Sequence, residues 1–148
     1  MTEIDALYEE VILDHNRSPR NWGELPGATN RIEGRNPLCG DELTLWLRMD
    51  SDRIADIRFV GQGCAISRAS ASLMTQAVKG KTRAEAEEMA NRFQALLTAG
   101  LSPEEAQRLG SLKALAGVRR FPMRVKCATL PWHALRGALH SQEVVEER

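Results

Sequence analysis

Glu42-Leu43-Thr44-Leu45-Trp46-Leu47-Arg48-Met49 alternates strictly: Leu43, Leu45, Leu47 and Met49 point one way, Glu42, Thr44, Trp46 and Arg48 the other. That is the period of a strand with one face in a core and one in water. Asp50-Ser51-Asp52 then reads as a turn. Residues 53–60 return with Ile57 and Phe59 alternating against Asp56 and Arg58. Together they predict an antiparallel hairpin of well-fixed register. Its second strand runs straight into Gly61-Gln62-Gly63-Cys64. Beyond it, Ala65 to Val78 is expected to be helical, with Ala and Ser residues that permit close packing.

Working outward, residues 3–15 predict an amphipathic helix on Ile4, Leu7, Tyr8, Val11 and Ile12. It stops in the turn formers of residues 16–23, and a short strand is expected near Thr29 to Gly34. Downstream, Thr82-Arg83-Ala84-Glu85 is a capping box for a helix carrying Ala86, Met89, Ala90, Phe93, Leu96 and Leu97, and Gly100 fits its stop. Ser102-Pro103-Glu104-Glu105 opens another short helix. Residues 109–122 read as looser, broken by Gly110, Gly117 and Pro122. A last helix is expected from Arg124 to about Ser141, kinked or restarted at Pro131, with Glu143 to Arg148 as a frayed tail.

At 148 residues the chain is expected to form one domain, 1–148, large enough to bury a core without staples. Twenty basic and twenty acidic residues cancel, which removes bulk attraction to nucleic acid or to a membrane surface. No apolar run approaches a membrane span. The acidic start, Thr2-Glu3-Ile4-Asp5, is unlike a signal or transit peptide, so a cytoplasmic protein is expected.

Three cysteines would leave one outside any disulfide, and no pair has C-x-x-C spacing. Composition leaves buried core cysteine and metal or catalytic cysteine level. The neighbours tip the balance. Cys39 sits in a Pro/Gly turn, two residues before Asp41. Cys64 follows Gly-x-Gly and opens a helix. Cys127 is flanked by Arg124 and Lys126 at what reads as a helix start. A helix N-terminus or a nearby cation favours the thiolate, which is both nucleophile and metal ligand. Zinc accepts thiolate and carboxylate together in a tetrahedron. The three motifs together favour a shared metal site over core packing, with Asp41 the best fourth ligand and other acids left open. His15, His133 and His140 read as structural or exposed.

These motifs resemble those of the IscU/NifU N-terminal family of iron–sulfur assembly proteins, most closely its SufU branch. The likeness starts at Tyr8-Glu9-Glu10-Val11-Ile12-Leu13-Asp14-His15 and Pro19-Arg20-Asn21. It continues through Asn36-Pro37-Leu38-Cys39-Gly40-Asp41 and Gly61-Gln62-Gly63-Cys64-Ala65-Ile66-Ser67 to Phe121-Pro122, Arg124 and Lys126-Cys127-Ala128. Typical IscU scaffolds carry a histidine just before the last cysteine and a Leu-Pro-Pro-Val-Lys chaperone motif upstream of it. Here Lys126 holds the histidine position, and Phe121-Pro122-Met123-Arg124-Val125 replaces the motif. A longer stretch between Cys64 and Cys127, around residues 98–118, also resembles SufU.

The resemblance implies an α+β fold, a small antiparallel sheet of about three strands packed on one side by helices. It implies zinc held by Cys39, Asp41, Cys64 and Cys127, with Arg124 steadying the negative site. The implied activity is that of a sulfurtransferase or sulfur carrier. It works with a pyridoxal-phosphate cysteine desulfurase of SufS type and passes sulfur to a downstream iron–sulfur scaffold. A histidine of the desulfurase would displace Cys39 from zinc, freeing it to attack the donor persulfide. Cys39, on a turn, is the best candidate for that mobile ligand. The first helix with Tyr8 and the loop around Cys39 are the expected docking surface. One rival is a scaffold that assembles a [2Fe–2S] cluster, and so binds iron, on the same four ligands. Another is a structural zinc domain, for which an Asp ligand is unusual.

Overall fold

The computed structural model describes residues 3–146, with side chains from Tyr8 onward. The Ile4 and Leu7 part of the first helix's stripe therefore lies outside the described residues. The expected hairpin is present as β2 (Asp41–Asp50) and β3 (Arg53–Gln62), joined at Ser51-Asp52. Leu43, Leu45 and Leu47 are buried and alternate with more exposed residues, as the sequence period requires. The register runs from Glu42 opposite Gln62 to Arg48 opposite Asp56, and then shifts. The shift leaves Ala55 unpaired as a bulge near the turn. β1 (Asn30–Asn36) pairs antiparallel with β2, Ile32 facing Leu45.

Among the described residues the sheet has four strands and is mixed, in the order β3-β2-β1-β4. This corrects the expectation of about three antiparallel strands. The extra strand, β4 (Val144–Glu146), comes from the segment read as a frayed tail and lies parallel to β1, with Glu33 opposite Val144. With β2 on one side only, β1 had an unpaired edge, and returning chain satisfies it.

Helices cover the buried side. They are α1 (Glu3–Arg17), α2 (Ala65–Val78), α3 (Arg83–Thr98), the short α4 (Pro103–Gln107) and α5 (Pro122–Leu139). Between α4 and α5, Gly110–Arg120 forms a 3-10 helix where a looser segment was expected. Leu109, Leu112, Leu115 and Val118 are all buried. Their spacing of three is the 3-10 repeat, so one ridge faces the core on every turn. The core joins Ile32, Leu45, Ile57 and Phe59 of the sheet to Met74 of α2, Phe93 of α3 and Leu130 and Leu135 of α5. Phe93 stacks on Trp132 with ring centres 5.0 Å apart. The caps read from sequence are present: Thr82 and Glu85 exchange both bonds of a capping box, and Ser102 caps α4.

The small residues of α2 bring it close against α5. Ser67, Ala69, Ser70, Ala71 and Ser72 are all buried. Ser70 Oγ donates to the Ala128 carbonyl at 2.6 Å. His15 Nδ1 lies 2.7 Å from Ser72 Oγ, which also accepts from Arg20 N. Those hydroxyls satisfy buried polar groups without the bulk that would separate the helices. α5 neither stops nor restarts at Pro131 but runs through it as one helix. It begins at Pro122, two residues earlier than expected, which places Cys127 in its second turn.

Candidate metal centre

The site is assembled where three chain reversals meet. The first is the β1–β2 turn, Pro37-Leu38-Cys39-Gly40, closed by the facing pair Asn36 and Asp41. Buried Asn36 organises it, its Oδ1 accepting from Leu38 N at 3.0 Å and its carbonyl from Gly40 N at 2.9 Å. Gly40 takes φ 77°, a left-handed conformation that glycine adopts at no steric cost. Sequence reading missed the role of Asn36. The signal was there, since an Asn whose side chain bonds the backbone two residues on is a common way to start a turn.

The second reversal is Gly61 to Cys64. A Cβ on Gly63 would lie 2.1 Å from Asp41 Oδ1, and its φ is 137°. Only glycine lets the Asp41 carboxylate pass there and accept from Cys64 N at 2.8 Å. A Cβ on Gly61 would lie 2.8 Å from the Glu42 carbonyl. Both glycines thus permit a close approach of β2 to this turn. Cys64 is the N-cap of α2, its sulfur 3.4 Å from Ser67 N, in the place usually taken by a hydroxyl or carboxylate oxygen.

The third is the entry to α5. The expectation that Cys127 sits at a helix start is corrected. It lies beyond the first four N–H groups, so the dipole does not act on it as on a terminal residue. Arg124, one turn earlier, is the cation that reaches it. Its guanidinium is held above its ordinary pKa by a hydrogen bond to Cys127, then by the charges of Cys64 and Cys127. Lys126 is exposed on the same turn.

These elements converge on one point. Cys39 Sγ lies 3.1 Å from Asp41 Oδ2, Cys127 Sγ 3.7 Å from Cys39 Sγ, and Cys64 Sγ 3.7 Å from Asp41 Oδ2. Ligand atoms of Cys39, Asp41 and Cys127 all fall within 4.8 Å of one another. Cys64 stands beside that trio, tied to Asp41 and to Ser67. Asp41 is completely buried, Cys127 buried and Cys39 exposed. None of the histidines belongs to such a cluster among the described residues.

The donor set fits a zinc ion. Tetrahedral bonds of about 2.3 Å to sulfur and 2.0 Å to oxygen put two sulfurs about 3.8 Å apart, and sulfur and oxygen about 3.5 Å. The sulfur pair is at 3.7 Å, and the two sulfur–oxygen distances fall on either side of the ideal.

The thiols also show what the site needs. With no cation in the cluster, two of the three thiols are held above their ordinary pKa. Burial, then a hydrogen bond with Asp41, pushes the Cys39 thiol above its ordinary pKa. Burial, Asp41 and the charge of Cys64 push Cys127 up much further. Packed acids resist ionising together, and a cation in their midst reverses that.

A family model described as the NifU-like N-terminal domain matches residues 7–128. The chain is 43% identical over 140 residues to the zinc-dependent sulfurtransferase SufU of Bacillus subtilis, covering 95% of this chain and 94% of that one. It is 41% identical over 139 residues to the iron–sulfur cluster assembly scaffold protein IscU of Streptococcus pyogenes, covering 94% and 86%. Among solved structures it resembles a candidate iron–sulfur cluster assembly scaffold protein for the SUF system from Fervidobacterium islandicum. That match has a TM-score of 0.83 at 39% identity, over 90% of this chain and 97% of the other. No described helix is long and apolar enough to cross a membrane.

Proposed function

The chain belongs to the family of NifU-like N-terminal domains, and from that premise we propose that it works in iron–sulfur cluster assembly as a zinc-dependent sulfurtransferase. It takes persulfide sulfur from a SufS-type cysteine desulfurase in the cytoplasm and passes it to a downstream iron–sulfur scaffold. The observation that carries this reading is the convergence of Cys39, Asp41 and Cys127 within 4.8 Å, Cys64 adjoining, with Cys39 the exposed sulfur.

Zinc held by Cys39, Asp41, Cys64 and Cys127 would keep the sulfurs deprotonated and subdue them as nucleophiles until one is freed. The remaining work falls to the chain. Cys39, on a turn flanked by Gly40, is the sulfur able to leave the cluster. Its thiolate attacks the outer sulfur of the donor's cysteine persulfide. A new S–S bond forms on Cys39, the donor's S–S bond breaks, and the donor cysteine departs as a thiolate. No electron is gained or lost overall. Asp41 stays in place because Cys64 N–H holds it. Arg124, facing Cys64 and Cys127, offsets the negative charge that collects there.

A second reading, a scaffold that assembles a [2Fe–2S] cluster on the same ligands, is supported by the likeness to a protein named as one. Native mass spectrometry after anaerobic incubation with desulfurase, cysteine, ferrous iron and zinc separates the two. A species holding zinc and extra sulfur is expected. Two irons and two sulfides in place of zinc would make the protein a scaffold, and zinc without added sulfur would leave a structural site.

A further inference from the structure

Six large apolar side chains are well exposed among the described residues, and three of them, Leu38, Phe121 and Met123, sit in two of the three segments that form the sulfur site. Leu38 is 77% exposed and adjoins Cys39, while Met123 is 89% exposed and adjoins Arg124. Tyr8, at the other end of the expected docking surface, is half-buried and lies within electrostatic reach of Arg120, Cys64 and Arg124. Its ring packs on Gly117, where a Cβ would lie 3.3 Å away.

The start of α5 is unlike the starts of α2, α3 and α4, each of which has a side-chain cap. At α5 the cap position is Phe121, with no side-chain hydrogen bond. An aromatic ring offers no oxygen to the first N–H groups, so Phe121 there is not explained by helix stability. Arg120 lies over the Phe121 ring, 5.7 Å from its centre.

Charge separates in the same direction. The whole chain is neutral, yet residues 106–142 hold Arg108, Lys113, Arg119, Arg120, Arg124, Lys126 and Arg136 and not one Asp or Glu. Arg120, Arg124 and Lys126 of this set are exposed beside Phe121 and Met123.

We infer that Leu38, Phe121 and Met123, together with the exposed Arg120, Arg124 and Lys126, form the surface on which the sulfur donor seats, and that the donor presents an acidic face with apolar contacts. The inference rests on the sulfur-transfer reading, and it names the surface and the partner's chemistry that the reading leaves open. A protein-borne persulfide reaches Cys39 only if its carrier covers the rim around that thiol, and the segments bearing Cys39 and Cys127, whose sulfurs lie 3.7 Å apart, carry these exposed apolar and basic side chains. Apolar anchors inside a charged ring are the usual form of an interface in which a few residues carry the affinity. Opposite charge speeds the encounter and makes it sensitive to salt.

The test is titration calorimetry of the zinc-loaded protein with the cysteine desulfurase of the same organism, alongside an assay of sulfur uptake. Met123→Asp puts an acid on the rim without burying it, at a helix start that tolerates acids. Arg48→Glu is the control, about 24 Å along β2 from Asp41. Met123→Asp should weaken binding at least about tenfold with zinc content unchanged, Arg48→Glu should not, and rising salt should weaken the wild type. Wild-type binding and sulfur uptake with Met123→Asp binding equally well would overturn the surface and leave the sulfur reading standing. A wild type that neither binds the desulfurase nor takes sulfur would overturn both.

Discussion

Cys39 and Cys127 bring their sulfurs to within 3.7 Å of each other, yet the fold holds them in opposite ways. Cys127 is buried in the second turn of an 18-residue helix, next to Ala128, whose carbonyl is bonded by Ser70 of α2. Asp41 and Cys64 belong to the same firm side, locked to each other by a backbone hydrogen bond. Cys39 is exposed on a turn that Asn36 closes and in which Gly40 takes a left-handed φ. On the proposed sulfur-transfer reading, the firm side would hold the metal and Cys39 would reach the donor. A protein that must keep a metal and still offer one ligand to a visitor needs this asymmetry, because ligands of equal rigidity would all stay or all leave.

Asp41→Ala against Cys39→Ala should break the comparison most visibly. Asp41 bridges two of the sulfurs and the start of α2, so its loss should weaken zinc binding by more than about 100-fold, beyond what loss of an outer-shell contact costs. Cys39→Ala should abolish sulfur uptake while the apo fold keeps its thermal stability, since the side chain lost is exposed. Zinc competition with a chelator and thermal unfolding would measure the pair.

The two site glycines sharpen it further. Gly63→Ala forces a Cβ into Asp41 at a φ of 137° and should cost about 2–3 kcal/mol, with loss of zinc. Gly40→Ala, at φ 77° with open space around it, should cost about 1 kcal/mol and spare the metal. Urea midpoints and zinc content would show whether the two sites differ as described.

The smallest effect concerns the support behind the firm side. Burial, then Arg20, holds the His15 pKa below its ordinary value, with Asp14 opposing them. The unfolded chain therefore takes up a proton that the folded one resists. Stability from this group is complete above a pH of about 6.5 and is lost as the pH falls through it. His15→Gln should flatten that acid limb of the melting temperature.

The hairpin, α2 and the caps of α3 and α4 were legible because each is written in local sequence: a period of two, a Gly-x-Gly before a helix, a Thr and Glu three residues apart. β4 was not, since three residues of a charged tail are a strand only because β1 offers an edge far away in sequence. The 3-10 helix was written at Leu109, Leu112, Leu115 and Val118, but glycines at 110 and 117 suggested a break. At the site, the cysteines and Asp41 could be picked out as types and motifs, and the structure brings Cys39, Asp41 and Cys127 into one cluster with Cys64 at its side. The state of their thiols could not be read from sequence. Arg124 and Lys126 beside Cys127 suggest an easily ionised sulfur, whereas its burial and its contact with Asp41 push its pKa up.

The most direct test of the divided site is to locate the transferred sulfur. After one turnover with desulfurase and cysteine, the persulfides would be alkylated and mapped by peptide mass spectrometry. The added sulfur is expected on Cys39 alone, with Cys64 and Cys127 unmodified. Sulfur on Cys127 or Cys64, with Cys39 untouched, would contradict it.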